Sequence, residues 1–278
     1  MNHIVGIKRI SESDRMKKNK KWIVFSVLLM VVFFFLGRTL AYFVAKEGNP
    51  FEKRNTEPIA YNVETEETER VPQLLNKEGQ QVRILLDAGH GGADPGKVGI
   101  NGVLEKDINL NIVKKLAEKC ENCGIEVFLT RDEDVVLGEA NGGSEKIADL
   151  NCRADMMTEL QPMFVVSIHQ NSYTKESVSG PQVFFKEGNA VGKRLAEILQ
   201  ATLIKQLKPS KERECKGNMS YYLLKKATVP MVIVECGFLS NSQEADLLNT
   251  DAYQEKIADA VLQGILAYIE EENQQTSG

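Results

Sequence analysis

The 278-residue chain contains three histidines, at positions 3, 90 and 169. His90 lies in a glycine-rich stretch, Asp87-Ala-Gly-His-Gly-Gly92, and His169 closes the apolar run 164–168. Two carboxylates occupy comparable places: Glu235 follows the apolar run 231–234, and Glu105 opens an amphipathic stretch. Two imidazoles and one carboxylate, with a fourth position left for water, are the usual catalytic zinc set. A second carboxylate is the general base that a hydrolytic zinc site needs. The spacing is no local zinc motif, since 14 residues separate His90 from Glu105 and 63 separate Glu105 from His169. Each residue also has a plainer reading. His169 can be a satisfied buried histidine, and Glu105 can be a first-turn acid on a helix dipole, a job that Asp107 can share. His90 among glycines is poor core filler, and Glu235 after four apolar residues is costly to bury without a partner.

Only folding can bring such distant residues together, so the elements that carry them matter. The pattern from residue 81 onward alternates between strands and helices. Strands are expected at 82–86, 125–130, 164–168, 183–185 and 231–234. Helices are expected at 105–120, 149–160, 191–207 and 253–269, where apolar residues recur at helical spacing. This alternation predicts a single α/β domain with a mostly parallel, twisted sheet covered by helices on both faces. In open α/β sheets the reactive residues collect at the carboxyl ends of strands. His90, His169 and Glu235 all follow such ends, and Glu105 starts the helix after the first loop.

The N-terminal part has a different character. Residues 1–21 form a basic leader, with seven Lys or Arg between Lys8 and Lys21 against Glu12 and Asp14. An apolar segment, 22–44, follows, interrupted near its end by Gly37 and Arg38. Its 23 residues suffice to span a bilayer, and Arg38 can snorkel to an interface. The basic flank places the N-terminus in the cytoplasm and the rest of the chain outside it. The segment is a transmembrane anchor or signal segment, read here as a retained anchor because Tyr42 and Phe43 interrupt any small-residue cleavage site. Residues 45–80 hold Pro50, Pro58, Pro72 and the run Glu64-Thr-Glu-Glu-Thr-Glu69, an acidic linker. The catalytic domain is expected at 81–271, with a tail at 272–278.

Composition excludes several classes. With 42% hydrophobic and 26% charged residues the chain is too apolar to be disordered. A formal net charge of −5 argues against a nucleic-acid partner. The cysteines are 120, 123, 152, 215 and 236, an odd number. Cys120-x-x-Cys123 has no second such pair to complete a structural zinc site, so free thiols are expected.

Five motifs carry a resemblance. Asp87-Ala-Gly-His-Gly-Gly92, Leu104-Glu-Lys-Asp-Ile-Asn-Leu110, Thr130-Arg131, Ser167-Ile-His-Gln-Asn171 and Val234-Glu-Cys-Gly-Phe-Leu-Ser-Asn241 occur in the order found in zinc-dependent N-acetylmuramoyl-L-alanine amidases of the type-3 domain. The similarity spans about residues 82–268. It implies one catalytic Zn2+ held by His90, Glu105 and His169, with Glu235 as the catalytic acid/base. It implies a peptidoglycan substrate, cut at the amide between N-acetylmuramic acid and the L-alanine of the stem peptide. Within the family the chain is most similar to germination-specific, spore-cortex amidases, on its N-terminus, its single domain and the stretch Ser144-Glu-Lys-Ile-Ala-Asp-Leu-Asn-Cys-Arg153. A vegetative autolysin and an inactive glycan-binding module are the alternatives; a helix-type zinc peptidase would show H-E-x-x-H, which is lacking here. Gln170 and Cys236 depart from the small or apolar residues common at their positions, and neither is expected to touch a ligand. The span 172–180 is too short for an autoinhibitory helix, so any regulator is expected to be an external protein.

Overall fold

The computed structural model describes residues 71–140 and 142–274. In chain order the elements are β1 (Arg83–Ala88), α1 (Glu105–Glu121), β2 (Glu126–Leu129), α2 (Glu145–Leu160), β3 (Phe164–Asn171) and β4 (Gln182–Lys186). There follow α3 (Ala190–Leu207), β5 (Lys216–Asn218), α4 (Tyr222–Lys226), β6 (Met231–Phe238), α5 (Ser242–Leu248) and α6 (Asp251–Gln274). The strands form one mixed sheet in the order β2-β1-β3-β6-β4-β5. All pairings are parallel except β4 with β6, which is antiparallel.

Residue alternation along the strands explains how both faces come to be buried. Ile84, Leu86 and Ala88 of β1, with Phe164, Val166 and Ile168 of β3, join a core shared with α1, α3 and α6. Leu85, Val165, Met231 and Ile233 point the other way, toward Met157 of α2 and Leu223 and Leu224 of α4. Strands apolar on both faces therefore read as continuous hydrophobic runs, as the sequence shows. The same alternation puts Asp87, Ser167, His169 and Glu235 on the α2/α4 side, where the apolar layer ends.

Several expectations need adjustment. Strands β3 and β6 run past their apolar cores to Asn171 and Phe238, so His169 and Glu235 lie within strands rather than after them. Helix α2 starts at Glu145, one turn before its apolar spacing begins. The short elements β5, α4 and α5 have no counterpart in the predicted set, because three to seven residues are too few to display a period.

The end of the expected linker is structured. The Leu74 N–H donates to the Gly124 carbonyl at 2.9 Å, the Val82 N–H to Leu74 at 2.8 Å, and Leu74 packs against the core. The leader, the apolar segment 22–44, the linker up to residue 70 and residues 275–278 lie outside the described residues. Among the described residues no helix is long and apolar enough to cross a membrane.

Candidate metal centre

His90 follows β1 by two residues and adopts a left-handed backbone, φ +63°. That conformation is uncommon for a residue with a side chain and signals a constraint imposed by its surroundings. Two buried arginines hold the backbone around it. Arg153 of α2 donates to the carbonyls of Ala88 and His90, both at 2.8 Å. Arg131, just after β2, donates to the carbonyls of Ala88 (2.9 Å) and Gly89 (3.1 Å). Three consecutive carbonyls, those of Ala88, Gly89 and His90, are thus held by arginines.

Arg153 is held in turn by Asp149, one helical turn earlier on α2, and by Asp87, with which it pairs in the interior. Asp87 is fully buried and also accepts from Ser167 and Thr130. Burial pushes its carboxyl up, but the Arg153 guanidinium, aided by His169, Ser167 and Thr130, brings the pKa down to about 2.

His90 Nδ1 lies 3.0 Å from Asp94 Oδ2, which leaves Nε2 facing Glu105 Oε1 at 3.3 Å. Glu105, the first residue of α1, is 2% exposed. Its Oε1 accepts from the Gln170 N–H at 3.0 Å and faces His169 Nδ1 at 3.0 Å, while Oε2 accepts from the Lys97 N–H at 2.7 Å. Burial works against the charged form, yet the two imidazoles hold this carboxyl well below the usual range. Asn109, one turn on, ties α1 to the loop by donating to the Gly89 carbonyl at 3.0 Å.

Close approach sets the glycines. A Cβ on Gly89 would sit 2.2 Å from the His169 ring, and one on Gly96, where φ is +69°, 2.6 Å from Glu105 Oε2.

The ligand atoms of His90, Glu105 and His169 all lie within 4.8 Å of one another. Two imidazole nitrogens and a carboxylate at that separation, with His90 oriented by a carboxylate behind it, fit the chemistry of a zinc site. Glu235 stands beside them, directly opposite His169 in the β3–β6 register. It is 7% exposed. Its Oε1 receives the Tyr221 hydroxyl at 3.4 Å, and its buried Oε2 has no partner among the described residues. Burial pushes this carboxyl up to about 7, an effect to which Glu105 adds and which the histidines and Tyr221 oppose. The site thus contains one carboxyl held ionised and one close to taking a proton at neutral pH.

All four expected site residues therefore meet at one end of the sheet. Residues 84–267 match the N-acetylmuramoyl-L-alanine amidase family, Amidase_3. The chain belongs to this family. It is similar to the germination-specific N-acetylmuramoyl-L-alanine amidase of Bacillus subtilis, with 34% identity over 68% of this chain and 80% of that one. To the Escherichia coli amidase AmiA it shows 27% identity over 71% and 79% of the two chains. Among solved structures, the CwlD amidase of Clostridioides difficile, determined in complex with the GerS lipoprotein, superposes with a TM-score of 0.66. The identity is 37%, covering 69% of this chain and all of that one. The protein is an N-acetylmuramoyl-L-alanine amidase, a peptidoglycan hydrolase.

Gln170 corrects one expectation about this amidase. Its main-chain N–H bonds Glu105 directly, and its buried side chain donates to Asn109 Oδ1 at 3.1 Å. The other supporting residues, Asp94, Arg153 and Tyr221, escaped the sequence reading. Asp94 carries a legible signal, a carboxylate four residues after the histidine in the same loop. All five cysteines are free. Residues 172–180 contain no helix.

Proposed function

We propose that this amidase works through one zinc ion held by His90, Glu105 and His169, with Glu235 as general acid/base. The observation that carries the reading is the convergence of three metal-competent side chains beside the buried Glu235 carboxyl, whose Oε2 has no partner among the described residues. Zinc, when bound, supplies the Lewis acidity that makes water acidic near neutral pH and polarises a carbonyl. Asp94 Oδ2, 3.0 Å from His90 Nδ1, suits the tautomer that leaves Nε2 free to hold a metal shared with Glu105 and His169. Glu235 takes the proton of the attacking water and returns it to the departing nitrogen of L-alanine, so the amine leaves neutral. Its raised pKa suits both halves of that task. The acid limb of the activity profile should lie above that of an exposed glutamate, since the ionised form is needed and burial favours protonation.

The test is substitution. Glu235→Ala should abolish hydrolysis and keep zinc, whereas His90→Ala or His169→Ala should lose both. A Glu235→Ala protein that is active, or that no longer binds zinc, refutes the assigned role.

The finer biological reading is cortex maturation in spores, with removal of stem peptides preparing muramic acid for lactam formation. It is supported by the similarity to the germination-specific amidase. Expression in a B. subtilis strain lacking that relative should restore muramic lactam in the cortex; stable expression without lactam would favour a vegetative wall substrate. We place the catalytic domain outside the cytoplasmic membrane, held there by the segment 22–44. An external regulatory protein fits the solved CwlD–GerS assembly.

A further inference from the structure

We propose that Tyr221 is a positioning residue for Glu235, its hydroxyl fixing the carboxyl at the orientation the proton transfers require. The inference rests on the role of Glu235 given above and extends it to a residue that acts through it. Among the described residues the Tyr221 hydroxyl is the one hydrogen-bond partner of the Glu235 carboxyl, donating to Oε1 at 3.4 Å. A carboxyl with a single partner is free to turn about its last torsion unless that partner is itself immobile.

Tyr221 is held by contacts visible in the fold. It occupies the N-cap position of α4, and its N–H donates to Asn218 Oδ1 at 2.8 Å. The same oxygen accepts from the Ser220 N–H at 2.7 Å and the Ser220 hydroxyl at 3.0 Å, which closes the turn between β5 and α4. The Tyr221 ring meets Phe184 of β4 edge to face, with centroids 5.3 Å apart. Phe184 is in register with Ile233, two residues before Glu235 on β6. The Tyr221 ring thus rests on β4, the strand next to the one that carries Glu235.

Tyr221→Phe retains the ring on Phe184 and removes only the hydroxyl. We expect kcat to fall about tenfold, the size of one hydrogen bond to a charged group, with KM within about twofold. Zinc content and thermal midpoint should match the unsubstituted protein, which separates positioning from folding or metal loss. A kcat within about twofold of the parent, while Glu235→Ala is inactive, overturns the role of Tyr221 and leaves that of Glu235 standing. An increase in KM alone overturns it too, since it would mark a substrate contact. Activity retained by Glu235→Ala overturns the underlying reading and this inference with it.

Discussion

At the scale of single residues, the centre is defined by what each donor atom faces. Glu105 has both oxygens committed, to the main chain of Lys97 and Gln170 and to two imidazoles, so it cannot rotate away from them. His90 is aimed by two constraints, its left-handed backbone and the Asp94 carboxylate at Nδ1. The second is accessible to experiment. Asp94→Ala leaves the three donors in place but frees the His90 ring and its tautomer. Zinc affinity should fall by about 10- to 100-fold. Titration against a competing chelator measures this, and an unchanged affinity would remove Asp94 from the centre's support.

At the scale of elements, a buried ion pair ties the His90 loop to α2, and Arg131 and Asn109 add further bonds to it. Asp87 is 0% and Arg153 1% exposed, and Arg153 also donates to Asp149 and to the Ala88 and His90 carbonyls of the loop. Arg153→Leu would strand the Asp87 carboxylate in the interior and release the loop. A loss of about 3–5 kcal/mol is expected in denaturant unfolding. A loss below about 1 kcal/mol would mean that the pair is dispensable. The helices α1 and α6 are joined differently, by Lys115 and Lys119 reaching Asp251, Glu255 and Asp259 at the surface. Such exposed pairs contribute little. Long elements were legible in the sequence because α1, α3 and α6 repeat apolar residues at helical spacing and β1, β3 and β6 each contain a run of at least three apolar residues. The four site residues were legible because three of them follow apolar runs and Glu105 opens a helix. Asp87, Arg153 and Tyr221 were not, since a polar residue gives no sign of which strand or helix will face it across the core. The extension of β3 and β6 through His169 and Glu235 was hidden for the same reason: ladder hydrogen bonds continue where hydrophobicity stops.

For the molecule as a whole, acid sensitivity follows from the Asp87–Arg153 pair. The Asp87 pKa of about 2 in the fold lies below its ordinary 3.8, so its stabilisation is full above that ordinary value and lost as pH falls toward 2. Thermal midpoints should drop across that window, less steeply in Asp87→Asn, a variant already weakened at neutral pH. Identical slopes for the two proteins would contradict the assignment. Zinc should act at this scale too: a ligand bound only by the folded state raises the midpoint, and chelation should lower it. The central claim, that the chain frees stem peptides by metal-dependent amide hydrolysis, is tested most directly on purified peptidoglycan. Mass spectrometry of the soluble products should show peptides with a free L-alanine amino terminus in the presence of zinc. They should be absent after chelation and restored by added zinc, with glycan strands intact. Equal release with and without chelator, or products carrying muramic acid still joined to the peptide, would contradict the account.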